Sequence, residues 1–281
     1  KTIGFQVDFV SRDWRHGVSS DKVEQILKED KERKIKAVCV VHNETSTGVT
    51  SNIKTIREAM DSAQHPALLL VDTISSLASI EYCHDDWGVD VTVGGSQKGL
   101  MLPPGLSFNA LSEKSIAASK KNKFNRSYWD WQTMLRDNRR GFFPYTPATN
   151  LFYGLREALD MLFEEGLENV FARHAKLAQA TRLAAQSWGL EILCKNESEY
   201  SNTLTAIMLP DNFDADELRK IILDEYNMSL GTGLGKVKGK VFRIGHLGDF
   251  NELALMGTLA GVEMGLTLAK IPHQSGGVTR A

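Results

Sequence analysis

Cysteine is scarce in this chain: Cys39, Cys83 and Cys194 are the only three in 281 residues. Thiols so few and so scattered exclude a disulfide framework and a cysteine zinc site, and they fit a reducing compartment. No apolar run approaches the roughly 20 residues of a membrane-spanning helix. Excess charge of one sign is missing as well. The 33 Lys and Arg residues against 35 Asp and Glu leave a net charge of -2, which gives nucleic acid or an anionic membrane little to hold. The basic, aromatic stretch 120–140, with Trp129 and Trp131, is therefore read as a solvated helix with buried tryptophans. Internal repeats, low-complexity tracts, a signal peptide and a Ser-Lys-Leu tail are all lacking, so a soluble cytoplasmic protein is expected. The opening residues, Lys1 to Val10, lack Met and read as the entry into a buried strand, so the chain looks like a partial or processed one.

What is present is ordinary globular material, 42% hydrophobic and 24% charged, enough for one large or two smaller cores. Strand patterns at 36–42, 67–72 and 90–94 alternate with helical patterns at 21–34 and 52–63, and a short helix is predicted near 75–80. Continuous Val/Leu runs separated by amphipathic helices predict an α/β fold, a mainly parallel sheet with helices on both faces. Cys39 falls inside such a strand and is expected to be buried. Beyond Gly166 the order changes to a smaller α+β arrangement. Two domains are expected, 1–165 and 166–281.

In parallel sheets ligands gather outside the carboxyl ends of the strands. Three groups lie just past such ends. The run Ala67-Leu68-Leu69-Leu70-Val71 closes on Asp72; Val89 to Val93 runs into Gly94-Gly95-Ser96-Gln97-Lys98-Gly99; and a third strand ends in His42-Asn43-Glu44-Thr45-Ser46-Thr47-Gly48. A strand-end aspartate followed by Gly-Gly-Ser-x-Lys matches the needs of pyridoxal 5'-phosphate. The lysine forms a Schiff base with the aldehyde, and the carboxylate keeps the ring nitrogen protonated. A lysine just past a buried strand is costly unless exposed or bound to something, and Lys98 is read as the nucleophile rather than as a surface loop lysine. Asp72 can also cap the segment after it, and Thr45 can close an ST-turn or donate to the cofactor phenolate. Arg243, inside the apolar strand Val241 to Gly245, needs a partner, and its planar fork suits a substrate carboxylate; the alternative is a buried ion pair. Gly231-Thr232-Gly233-Leu234-Gly235-Lys236 is rejected as a phosphate loop, because a strand follows it and Val237 stands where Ser or Thr is required. It reads as a flexible loop beside the site.

On these residues, and on Pro103-Pro104-Gly105, Tyr145-Thr146-Pro147 and Val241 to Gly248, the chain resembles the class V, fold-type I aminotransferases of the serine–glyoxylate and alanine–glyoxylate kind. The resemblance implies transamination between a small amino acid, serine or alanine, and a 2-oxo acid such as glyoxylate. It implies that Lys98 is the Schiff-base lysine, Asp72 the pyridinium partner and Arg243 the carboxylate clamp. Thr45 falls at the phenolate oxygen and Gln97 near the phosphate. Tyr145 and Thr146 fall where the family reaches across a homodimer into the partner's site, and Phe143 aligns with a tyrosine used by some relatives. The family's phosphate-binding loop lies upstream of Lys1, so residues 1–281 alone are expected to hold the cofactor weakly. Aspartate–glyoxylate transamination, β-lyase or desulfurase chemistry, and a fragment keeping only the fold are the alternatives; a desulfurase would need a loop cysteine.

Overall fold

The computed structural model describes residue 2 and residues 4–281. Its first half runs through helix α1 (Ser20–Glu29), strand β1 (Ala37–Val41), the hairpin β2 (Asn43–Glu44) and β3 (Val49–Thr50), helix α2 (Ile53–Ser62), and strands β4 (Leu68–Asp72), β5 (Val91–Gly95) and β6 (Ser107–Leu111). Strands β1, β4 and β5 are parallel, β6 pairs antiparallel with β5, and the sheet order is β1-β4-β5-β6. Ser19 and Asn52 cap α1 and α2 by accepting from Lys22 N and Thr55 N. A side-chain oxygen at that place satisfies one of the helix's free N–H groups. Val23 and Leu27 of α1, with Ile53, Ile56 and Met60 of α2, then bury Val40, Leu69 and Val71 of the sheet.

The rest comprises α3 (Glu113–Lys121), α4 (Trp131–Asn138), α5 (Thr149–Glu165), α6 (Leu167–Ser187), β7 (Glu191–Ile192), β8 (Leu204–Met208), α7 (Ala215–Tyr226), β9 (Gly231–Thr232), β10 (Val241–Gly245), α8 (Glu252–Leu268) and α9 (Gly277–Arg280). Here the sheet is antiparallel throughout, in the order β7-β8-β10-β9. Trp188, Ile207, Leu218, Ile222, Phe242 and Leu259 form its core against α6, α7 and α8. The mainly parallel α/β sheet and the later α+β arrangement are as the pattern predicts.

Some local expectations are corrected. Residues 5–10 form no strand and are exposed, Phe9 at 81%, while Lys1 and Ile3 lie outside the described residues. Cys39 is exposed, because successive strand residues point to opposite faces and α1 and α2 cover the face of Val40. Trp129 is 79% exposed rather than buried. The segment 73–80 is a series of turns, since its hydroxyls are drawn into side-chain bonds instead of a helix. Residues 231–232 pair as β9 with β10, so the glycine-rich loop is anchored to the sheet.

Buried polar contacts line those turns, and Asn43 carries them across to the second half. His42 Nδ1 lies 2.9 Å from Ser76 Oγ, and Asn43 Nδ2 donates to Ser75 Oγ at 2.8 Å and to Thr203 Oγ1 at 3.0 Å. His246 is fully buried with Nε2 3.0 Å from Thr205 Oγ1. Burial pushes His42 down to about 4 and His246 to about 3, against an ordinary 6.5. Both rings are neutral in the fold, whereas the unfolded chain takes up their protons as soon as pH falls through 6.5. Their contribution to stability is therefore complete above that pH and is lost as pH falls toward 4. Between pH 6.5 and 5 this is worth up to about 2 kcal/mol per buried histidine. Urea unfolding at pH 7.5 and pH 5 should show a smaller pH-dependent loss in His42→Asn than in the wild type; equal losses would remove His42 from this account.

Candidate active site

Four of the residues singled out by sequence, Thr45, Asp72, Gln97 and Lys98, lie at one end of the parallel strands. Asp72 ends β4, pairing in register with Val41 of β1 and Val93 of β5, and its backbone carbonyl accepts from His42 N at 2.9 Å. Its carboxylate is exposed; Oδ1 accepts from Ile74 N at 2.9 Å, a local Asx-type turn with no helix following it. Lys98 is half-buried in the turn after β5, and among the described residues its Nζ has no ion pair and no hydrogen bond. That turn is tight. Met101 N donates to Lys98 O at 2.9 Å, and Met101 itself sits in the left-handed region at φ 58. Such a conformation is strained for a residue with a side chain and persists only where the surroundings hold it.

The surroundings do so from several sides. Ser96 Oγ donates to Pro103 O at 2.8 Å and accepts from Leu106 N at 3.2 Å, closing the loop through Pro103-Pro104-Gly105. Gly99 packs so closely on the turn after β4 that a Cβ there would stand 2.1 Å from Leu77 O. On the other flank, Arg173 of α6 grips the segment after β10: its Nη1 donates to Gly248 O at 2.8 Å and Phe250 O at 3.1 Å. Glu165 binds the same guanidinium bidentately, at 2.7 and 2.8 Å. His174, next along α6 and fully buried, has Nδ1 3.0 Å from Ser79 O and Nε2 3.2 Å from Gly248 O. Gly248 in turn packs on Met101 and on the Lys98 carbonyl. Arg173 and His174 thus tie the C-terminal half to the lysine turn. No local motif announces them, because their partners are backbone carbonyls 74 to 95 residues away.

Arg243 reaches the turn after β2 from β10 of the second sheet. Its Nε donates to Thr232 O at 2.7 Å and its Nη1 to Thr45 O at 2.5 Å, and it has no carboxylate partner among the described residues. Burial and the neighbouring Arg219 guanidinium push its pKa below the usual value. The buried ion pair considered as the alternative is not formed. Thr45 meets Arg243 through its carbonyl, while Glu44 closes the 44–48 turn, so the Thr45 hydroxyl makes no hydrogen bond among the described residues. Gln97 is exposed, its Oε1 lying over Gly95 where a Cβ would come within 2.8 Å. Tyr145 and Thr146 are not brought to this group. Both are exposed, and Tyr145 donates to Ser127 O at 3.1 Å and stacks on Tyr128 at 4.8 Å.

This parallel sheet with a lysine and an aspartate past its strand ends has the fold of the fold-type I aminotransferases. A family model described as aminotransferase class-V matches residues 1–241, and the chain belongs to that family. It is 50% identical over 94% of its length to a serine–glyoxylate aminotransferase of Arabidopsis thaliana, of which it covers 66%. It is 43% identical over 97% of its length to an L-aspartate–glyoxylate aminotransferase of Paracoccus denitrificans, of which it covers 69%. Among solved structures, a pyridoxamine–pyruvate aminotransferase from Mesorhizobium loti superposes with a TM-score of 0.86 at 30% identity, covering 95% of this chain and 68% of the other. The chain thus spans about two thirds of the length of the curated relatives it matches.

The grip of α6 on the 248–250 segment has a measurable consequence. Arg173→Ala removes bonds to two carbonyls and leaves the half-buried Glu165 without its partner. Charge-assisted hydrogen bonds are worth roughly 1.5–3 kcal/mol each, so urea unfolding at pH 7.5 should show a loss of about 2–3 kcal/mol. A loss below about 0.5 kcal/mol, the level of an ordinary surface substitution, would show that the clamp carries no load.

Proposed function

We propose that this protein is a pyridoxal 5'-phosphate-dependent aminotransferase that takes the amino group from a small donor, serine or alanine, and delivers it to glyoxylate. The observation that carries the reading is Arg243: a desolvated guanidinium held by two backbone carbonyls with no acidic partner among the described residues. Such a group calls for an anion of about the size of an α-carboxylate. The residues also suit the cofactor. Lys98 offers an amine with no competing acid, and Asp72 keeps one carboxylate oxygen free of the Ile74 N–H.

When bound, the cofactor supplies an aldehyde for amino groups and a ring that accepts the electron pair left at the substrate Cα. Lys98 Nζ, in a turn held on three sides, would carry a proton to and from that Cα. Asp72 would keep the ring nitrogen protonated through its free oxygen. Thr45 Oγ1 and Gln97 are donors for the phenolate and phosphate, and Arg243 orients the substrate carboxylate. The small donor is favoured because the neighbouring arginine is already occupied: Arg219 Nη1 donates to Asp216 Oδ1 and its Nε to Leu230 O, both at 2.8 Å. The Paracoccus relative named for aspartate marks the second reading; a preference for aspartate over serine would establish it.

We infer further that the enzyme is a homodimer in which Tyr145 and Thr146 complete the partner's site. The surface around them supports this. Tyr128, Trp129, Phe142 and Phe143 are 63, 79, 65 and 49% exposed, an apolar cluster suited to burial against a second copy. Sedimentation velocity should show a dimer, and an active monomer would overturn the shared site.

For the chemistry, borohydride reduction of the cofactor-loaded protein should place the label on Lys98 by peptide mapping, and Lys98→Ala should abolish turnover. A label on another lysine would sink the assignment. Arg243→Ala should raise KM for every amino acid tested and lower kcat/KM by about a hundredfold.

A further inference from the structure

We propose that Asp216 and Thr232 are positioning residues that set the pose of the Arg243 guanidinium before substrate arrives. This rests on the reading of Arg243 as the carboxylate clamp. Strand β9 is only two residues long and lies at the sheet edge, so its ladder bonds alone hold it weakly. Side chains tether both its ends. Arg219 Nε donates to Leu230 O at 2.8 Å, just before the strand, and Thr232 Oγ1 donates to Asp216 Oδ1 at 2.7 Å. Asp216 is itself fixed in the first turn of α7, where its N–H donates to the cap residue Asp214 and its carboxylate also accepts from Arg219 at 2.8 Å. The Thr232 hydroxyl, foremost, holds the Asp216 carboxyl below the usual range, so it is an ionised acceptor at neutral pH.

With its hydroxyl held, Thr232 turns its carbonyl onto β10 and takes the Nε of Arg243 at 2.7 Å. Gly231, opposite Arg243 in register, leaves the clearance this needs: a Cβ there would stand 3.0 Å from Arg243 Cβ and 3.3 Å from its Nε. With Nη1 on Thr45 O, the guanidinium is pinned at two atoms, and Nη2 with the second Nη1 hydrogen is left for a ligand. The side-on fork that uses Nε is closed, so a carboxylate must be met from the Nη end. A long side chain pinned in its binding pose loses little further rotamer freedom when the ligand binds.

The test uses the cofactor-loaded protein and two readouts: steady-state kinetics with serine and glyoxylate, and calorimetric titration with glycolate, a carboxylate that turns nothing over. Thr232→Val, which keeps shape and removes the hydroxyl donor, should raise KM for serine and weaken glycolate by about three- to tenfold, with kcat within about twofold. Thr232→Ser should restore both. Asp216→Ala should repeat the loss, and the double variant Asp216→Ala/Thr232→Val should lose no more than either alone, because both act through one carbonyl. Unchanged KM and glycolate affinity in Thr232→Val and Asp216→Ala, while Arg243→Ala loses both, would overturn the positioning role alone. Full glycolate affinity in Arg243→Ala would instead overturn the clamp. Equal losses in Thr232→Ser and Thr232→Val would assign the effect to packing and reject the hydroxyl. Should Thr232→Val fail to fold, Thr232→Ala is read in its place with the same expected direction.

Discussion

A guanidinium taken partly out of water and given no carboxylate is the constraint around which this molecule is arranged. Removing a charge from water costs several kcal/mol unless hydrogen bonds replace the hydration. Two backbone carbonyls supply part of that replacement at Arg243, one from the turn of the separate β2–β3 hairpin and one from the edge strand β9. The contact therefore ties that hairpin to the second sheet.

The seam between the halves follows a related rule. Several of its polar groups are buried and partnered: Asn43 bridges Ser75 and Thr203, His42 meets Ser76, and the neutral His174 ring lies against the carbonyls of Ser79 and Gly248 and donates to one of them, while the Ser79 hydroxyl has no partner among the described residues. Satisfied networks in low dielectric specify one arrangement sharply, because any displacement leaves a donor or acceptor orphaned. The lysine turn inherits that precision. It is held by Ser96 and Gly99 from the first half and by Gly248 from the second, which lets Met101 remain at an unfavourable φ of 58.

Legibility from sequence divided along the range of the interactions. Strand-end residues such as Asp72, Thr45 and Lys98 are announced locally, by an apolar run that stops at a polar or glycine-rich turn. The helix predicted over 21–34 ends at Glu29, where the Asp30 side chain accepts from Lys34 N and Ile35 N and turns the chain toward β1. Exposure was harder. Cys39 and Trp129 carry the composition of buried residues, yet whether a face is covered depends on neighbours distant in the chain.

The sequence by itself therefore determined the α/β alternation, the parallel strands, and the place of Asp72 and Lys98 at or just past strand ends and of Arg243 inside a strand. Each is encoded in short-range periodicity or in one residue at a strand end. Only the tertiary structure decided that Arg243 has two carbonyl partners and no acid, that residues 231–232 are a strand, and that Arg173, His174, Asp216 and Thr232 surround the site. Carbonyl acceptors are identical in every residue and leave no mark on the sequence. Which of them meets a given side chain is settled by packing alone.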